Sequence, residues 1–302
     1  MTAVPDPTGE VGVTTTERTA VTETETSRRS PDYWMGAGAA ERHRLLAPAQ
    51  AHRPQAEELL DRLAPPAGSA AVDLGCGPIG ILDLLAERLG PDGRVVGVDI
   101  EQPMLDVAEV SLAERGLSGV RLLRADIAGT DLAPGSFDLV HGRLVLLNDP
   151  QPGRIVDEMV RLARPGGTVA VQDLDKRAWT CEPAHPAWDR VMAGFQAAQS
   201  AAGLDEYIGR RLPRILREAG LTDIETALHA RMWTAPDASN RAKLVHFATV
   251  GRAPILATEV YSGPGGEARF DADLRELTEH LARPDTVVVN ALLVQAWGRL
   301  PP

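Results

Sequence analysis

Residues 69 to 80, Ser-Ala-Ala-Val-Asp-Leu-Gly-Cys-Gly-Pro-Ile-Gly, constrain this chain more than any other stretch. Ala70 to Leu74 form a short apolar run broken only by Asp73, the pattern of a buried strand. Gly75 and Gly77 then supply a tight turn. Ile79, Leu82, Leu85 and Leu89 return at helical spacing before Gly90 stops the helix. A strand, a glycine turn and a helix N-terminus let a ligand lie against bare backbone. Gly75, Gly77 and Gly80 also satisfy the dinucleotide pattern G-x-G-x-x-G, which is weak alone. Asp73, two residues before the first glycine, points away from it. A carboxylate there repels a pyrophosphate and favours a phosphate-free cofactor with a cationic amine.

The same rhythm continues downstream. Arg94 to Asp99 reads as a second strand, Pro103 to Glu114 as a helix, and Val120 to Asp126 as a third strand. Ser136 to His141 reads as a fourth strand, Pro152 to Ala163 as a helix, and Thr168 to Gln172 as a fifth strand. Strands alternating with helices in this way predict right-handed crossovers and a parallel sheet, hence an α/β fold. Ligands bind such sheets beyond the carboxyl ends of the strands. Asp73, Asp99 and Asp126 all fall there. Asp99 lies 24 positions after Gly75, where a carboxylate accepts from ribose hydroxyls.

The flanks are less regular. Residues 1–30, rich in Thr, Glu, Ser and Pro, show no apolar periodicity and are expected to be a disordered tail. Residues 31–67 read as a helical N-terminal segment, opened by Tyr33 and Trp34, and residues 68–175 as the cofactor-binding core. A first cap insertion spans 176–210, with helices near 185–202 and 204. The core resumes over 211–234 with a helix at Leu212 to Ala219 and a sixth strand at Thr222 to Trp233. Residues 235–283 are a second helical cap, because a structureless loop of that length is improbable. Residues 284–302 hold the last core strand, Thr286 to Trp297, and a tail.

Composition narrows the partners. A net charge of −11 speaks against nucleic acid, since phosphate binding needs a basic face. No apolar run approaches the ~20 residues of a membrane helix, and no basic-then-apolar leader opens the chain. The expected protein touches no membrane and is cytoplasmic. Its two cysteines, Cys76 and Cys181, supply neither a disulfide framework nor a metal-ligand spacing, so no metal is expected. Most of the twelve aromatic residues lie outside the sheet, in the N-terminal segment and the insertions. Such a cap over the strand ends predicts an apolar or aromatic small-molecule pocket, with Tyr33, Trp34, Trp179 and Tyr207 as substrate-binding residues.

The acid-x-Gly-x-Gly turn of Asp73 to Gly77, with Asp99 and Asp126 after it, resembles the class I S-adenosylmethionine-dependent methyltransferases. The stretch Phe137 to Asn148, with Arg164-Pro-Gly-Gly167, is similar to the ubiquinone/menaquinone-type subgroup. The likeness is good over about residues 68–175 and holds elsewhere in outline. It implies a Rossmann-like, seven-stranded, mostly parallel sheet whose seventh strand is antiparallel, inserted between the fifth and sixth. It also implies S-adenosyl-L-methionine as cofactor, held by Asp73, Gly75, Cys76, Gly77, Asp99, Ile100, Asp126, Ile127 and Arg143. Within that set, Asp126 accepts from the adenine amine and the next backbone N–H reaches a ring nitrogen. Arg143 pairs with the amino-acid carboxylate or positions substrate. Ile79 departs from the family, where many members carry a glycine, and leaves Gly80 to make room.

Methyl transfer from a sulfonium is an in-line displacement that needs alignment and exclusion of water. A base helps when the acceptor is a hydroxyl or an ammonium. His141, His185, His229 and His246 are the candidates; His141 is favoured by its place beside the cofactor and His185 by its place in the first insertion. No Asn-Pro-Pro-Tyr run follows the fourth strand, the family's mark for nucleobase or glutamine nitrogens. The implied reaction is methylation of a small, largely apolar or aromatic metabolite, as in natural-product tailoring, on oxygen, nitrogen or carbon. The alternatives are an NAD-dependent oxidoreductase, and a methyltransferase-like cyclase or binding protein that does not methylate. Homo-oligomerisation stays open.

Overall fold

The computed structural model describes Met1 and residues 51–234 and 238–302. The expected disordered tail, most of the N-terminal segment, Tyr33 and Trp34 lie outside the described residues. The first described helix, α1 (Arg53–Leu63), precedes β1 (Ala70–Leu74), α2 (Leu82–Leu89), β2 (Arg94–Asp99), α3 (Gln102–Ala113) and β3 (Val120–Arg124). Then come β4 (Phe137–Arg143), α4 (Pro152–Leu162) and β5 (Ala163–Asp175). Beyond them lie β6 (Thr180–Glu182), α5 (Pro186–Ala201), α6 (Leu212–Glu218), β7 (Thr222–His229) and β8 (Met232–Thr234). The chain ends through α7 (Ala238–Val250), α8 (Arg252–Leu256), α9 (Gly266–Leu281), β9 (Val287–Val289) and β10 (Leu292–Arg299).

Seven strands form one sheet in the order β3-β2-β1-β4-β5-β10-β7. β1 pairs in parallel with β2 and β4, while β10 runs antiparallel between β5 and β7. This is the expected Rossmann-like arrangement. Strand alternation divides the apolar residues between two cores. Val72, Leu74, Val96, Val98, Val140 and Val171 face α4 and α6. Ala71, Val95, Leu139, Ala170 and Trp297 face α1 and α2.

Two expected strands are corrected. The sixth, read as Thr222 to Trp233, ends at His229, and the seventh, read as Thr286 to Trp297, begins at Leu292. Their outer parts, β8 and β9, join β6 in a separate three-stranded sheet. The apolar pattern runs through both breaks, so composition alone does not mark them. The break is held by the Asn290 N–H donating to the Arg231 carbonyl at 2.8 Å.

That small sheet and α5, α7, α8 and α9 form one cap with its own core, including Trp188, Phe195, Trp233, Tyr261 and Phe270. Arg190 of α5 grips Asp273 of α9 through two hydrogen bonds of 2.9 and 2.5 Å. Tyr261 donates its hydroxyl to the same carboxylate at 2.8 Å. The two insertions therefore fold together, although 83 positions separate Arg190 from Asp273 in sequence. Among the described residues no helix is long and apolar enough to cross a membrane.

Candidate functional site

The glycine turn is clamped from below and open above. Gly75 and Cys76 donate their N–H groups to the Val98 carbonyl at 2.8 and 3.0 Å, tying the turn to β2. Gly75 has φ +71°, and a Cβ there would run into Val145 from the loop after β4, with Ile127 also close. Gly77 has φ +53°, yet a Cβ on it would meet nothing within 4 Å. The Gly77 N–H donates to Asp99 Oδ2 at 2.8 Å, and Asp99 Oδ1 accepts from the Glu101 N–H at 3.0 Å. Burial pushes the Asp99 carboxyl up from its ordinary value, against those backbone donors. Asp126, one strand over, is exposed and accepts from the Ala128 N–H at 2.9 Å. Gly77, Asp99 and Asp126 thus meet at the carboxyl ends of β1, β2 and β3, with Ile100 and Ile127 half-buried beside the acids.

Asp73 does not face that edge. Its side chain lies beneath the turn, where Oδ2 accepts from the Ile81 N–H at 3.0 Å and Oδ1 meets His141 Nδ1 at 2.7 Å. A Cβ on Gly80 would collide with that carboxylate and approach the Cys76 carbonyl to 2.8 Å, so this acid is what demands a glycine at 80. The expectation that Asp73 meets a cationic amine is therefore corrected. Both its oxygens are committed inside the protein.

His141 belongs to a buried polar row on the α1 side of the sheet. Gln295 Nε2 donates to the Gln55 carbonyl at 2.9 Å and to Gln172 Oε1 at 2.9 Å. This turns the Gln172 amide nitrogen toward His141 Nε2, 2.8 Å away. Nε2 must then accept, and Nδ1 donates to Asp73, an assignment made from the network. Asp73, His141, Gln172 and Gln295 are each 0–1 % exposed. With both ring nitrogens engaged, His141 offers no free base to a substrate. A lone Gln inside each of two apolar strands was the available signal for Gln172 and Gln295.

The other candidates have structural employment as well. His185 caps α5, its Nδ1 accepting from the Ala187 N–H at 3.2 Å, and its ring packs 4.5 Å from His280. His229 lies 3.8 Å from Glu58 and His246 sits on α7 in the cap, but the Nε2 of each is buried without a partner. Cys76 is buried over Gly97, and burial pushes its thiol well above its ordinary value, so only its backbone belongs to the turn. Tyr207 accepts from the Gln196 amide and lies 5.7 Å from the Arg210 guanidinium, which clamps Asp175 at 2.6 and 2.9 Å. Trp179 packs edge-on against Trp188, with ring centroids 6.1 Å apart.

At the end of β4, Arg143 Nη2 donates to the Gly80 carbonyl at 3.2 Å, while its Nη1 is buried without a partner. Burial lowers the guanidinium's pKa, and Asp73 and Asp83 oppose that shift. Asp173, near the end of β5, accepts from the N–H groups of Leu146, Leu147 and Leu174 at 3.0, 3.1 and 3.0 Å. It holds the loop after β4, where Leu144 takes a φ of +57°. Burial pushes its carboxyl up to about 7. The unfolded chain ionises this group near ~3.9, so the folded state keeps a proton that the unfolded state has lost between these values. Stability contributed here falls as pH rises through that window, by about 4 kcal/mol in all. The unfolding free energy of wild type minus that of Asp173→Asn, from urea titrations at pH 4 to 8, should decline accordingly.

A cavity of about 190 Å³ lies at the opposite end of the sheet, lined by Pro65, Pro66, Asp138 and Arg164, and none of the three acids borders it. The chain matches the methyltransferase domain family over residues 66–220. It is 38 % identical over 119 residues to nocamycin O-methyltransferase of Saccharothrix syringae, covering 39 % of this chain and 42 % of that protein. It is 29 % identical over 181 residues to demethylmenaquinone methyltransferase of Geobacillus kaustophilus, covering 56 % and 77 %. The fold superposes on the YcgJ protein of Bacillus subtilis with a TM-score of 0.52 at 15 % identity, over 82 % of this chain and 99 % of that one. The chain spans less than half of the nocamycin enzyme's length. The domain match covers half of the chain and coincides with the clamped turn and its two open-edge acids, and on that ground the chain belongs to the class I S-adenosylmethionine-dependent methyltransferases.

Proposed function

We propose that this chain transfers the methyl group of S-adenosylmethionine to a small, largely apolar or aromatic metabolite, as a tailoring enzyme of natural-product assembly. The observation that carries the reading is the meeting of an open Gly77 with Asp99 and Asp126 along one sheet edge. The residues fit the cofactor. Gly77 leaves room above the turn, Asp99 suits the ribose hydroxyls, and Asp126 with the Ile127 N–H suits adenine. The orphaned Nη1 of Arg143 suits a carboxylate. When bound, the cofactor supplies a methyl group already activated by a sulfonium. The chain's own task is then alignment and water exclusion, effects worth ~7–11 kcal/mol in favourable cases. His141, the candidate beside the turn, has both ring nitrogens engaged, and the reading relies on positioning without a dedicated base. Likeness to nocamycin O-methyltransferase and to demethylmenaquinone methyltransferase supports the substrate class. In this reading residues 68–175 hold the cofactor, residues 176–210 and 235–283 cover the acceptor, and the protein works in the cytoplasm.

Calorimetry with S-adenosylhomocysteine and with NAD tests it: tight binding of the first alone is expected, and binding of NAD alone overturns it. Methyl-labelled cofactor incubated with candidate acceptors then reads the transfer itself. Asp99→Ala should weaken S-adenosylhomocysteine by about 1–3 kcal/mol, through unpaired ribose hydroxyls and a released Gly77 N–H. Asp99→Asn, which keeps an acceptor, should lose less.

A further inference from the structure

We infer that the hollow between β6 and α5 takes the acceptor by an ammonium-bearing end, its apolar body against Trp179 and Trp188 and its charge toward Glu182 and Asp189. Calling this ligand the acceptor rests on the methyltransferase reading above; the charge preference does not.

The hollow has a volume of about 500 Å³, within the range of small-molecule sites. Its apolar wall includes Trp179, Trp188, Met192 and Cys181. Among the described residues its charged groups are Glu182 and Asp189, with no Lys, Arg or His on the lining. Neighbouring acids behave differently. Asp273 pairs with Arg190, Asp175 with Arg210, Glu206 with Lys176, and Asp271 with Arg252. Among the described residues neither Glu182 nor Asp189 has such a cation. Asp189 has a local reason for its place, the first turn of α5, where a helix dipole favours an acid. Glu182 has none.

Two unneutralised carboxylates beside indole rings form an environment that attracts a cation through both charge and ring faces. The same field is felt by Cys181 behind the wall, whose thiol is pushed up to about 11 by burial first and by Glu182 and Asp189 after it. Trp179 Nε1 is also buried without an acceptor, so the wall retains an unused donor. The hollow opens where the chain leaves β5, six residues past Asp173 and on the carboxyl-end side of the sheet.

The test uses two probes with the same phenylethyl body, phenethylamine, cationic at neutral pH, and 3-phenylpropanoate, anionic. Binding to the full chain is followed by calorimetry and by quenching of tryptophan fluorescence. Phenethylamine should bind at least tenfold more tightly, and E182Q/D189N, altering two exposed side chains, should erase the preference. Trp179→Phe should remove most of the quenching. Equal binding of both probes, binding of neither, or a preference unchanged in E182Q/D189N overturns the proposal. S-adenosylhomocysteine is titrated in parallel. Its failure to bind alongside an intact charge preference would sink the methyltransferase reading and leave the hollow's specificity standing.

Discussion

Asp73→Ala is expected to lower the unfolding free energy by about 3–5 kcal/mol, the largest stability loss of any single change around the turn. Removal of the carboxylate leaves the Ile81 N–H and His141 Nδ1–H buried without acceptors, in a site where no water has access. The cavity left beneath Gly80 adds to this. Asp73→Asn should lose less, because one side of the amide still accepts while the other opposes a donor. Urea unfolding with unchanged m-values is the measurement. A double-mutant cycle with His141→Ala should show coupling well above experimental error. The alternative role, an acid facing the cofactor's amine, makes the opposite forecast: stability nearly intact and affinity reduced.

Gly75→Ala and Gly77→Ala should part ways, although only one residue separates them. Both demand a positive φ from alanine, a strain of about 1–2 kcal/mol each. At 75 the new methyl also strikes Val145, so the loop after β4 must move. Folding stability and S-adenosylhomocysteine affinity should fall together there, and Val145→Ala should restore part of both. At 77 the methyl enters open space. The protein should fold with a melting temperature only a few degrees lower, yet bind S-adenosylhomocysteine at least a hundredfold more weakly, because the methyl stands where the cofactor would lie. If Gly77→Ala binds normally, the ligand does not cross the turn at that point.

The difference between these two glycines was not legible in sequence, where both are simply turn residues. Short-range pattern made legible the strand–turn–helix unit and the strand-end positions of Asp99 and Asp126, while the order of the sheet came from the family resemblance. Asp73 shows how such evidence stops short. Alternation puts it on the same face as Ala71, and that face is covered by α1 and α2. One partner, the Ile81 N–H, lies eight positions away, but His141 comes from 68 positions downstream, and local spacing carries no trace of it. Gln172 and Gln295 are bonded across 123 residues and were passed over for the same reason. His185 was selected because it lies in an insertion, but a histidine just before a Pro-led helix is equally placed to cap it. The breaks in the last two strands escaped because β8 and β9 keep β-type composition on both sides. Only the pairing of β9 with β6 on one side and β8 on the other reveals that they serve another sheet.

β10 occupies an interior lane of the sheet although it follows every other described strand in the chain. Until residues 292–299 leave the ribosome, β5 and β7 have no neighbour between them, and the nascent chain carries two unprotected strand borders. Productive assembly therefore waits on a late insertion. A chain truncated shortly before Leu292 would keep both borders open and be inclined to associate with other chains, whereas one that includes Arg299 and is free of the ribosome can fill the lane between β5 and β7.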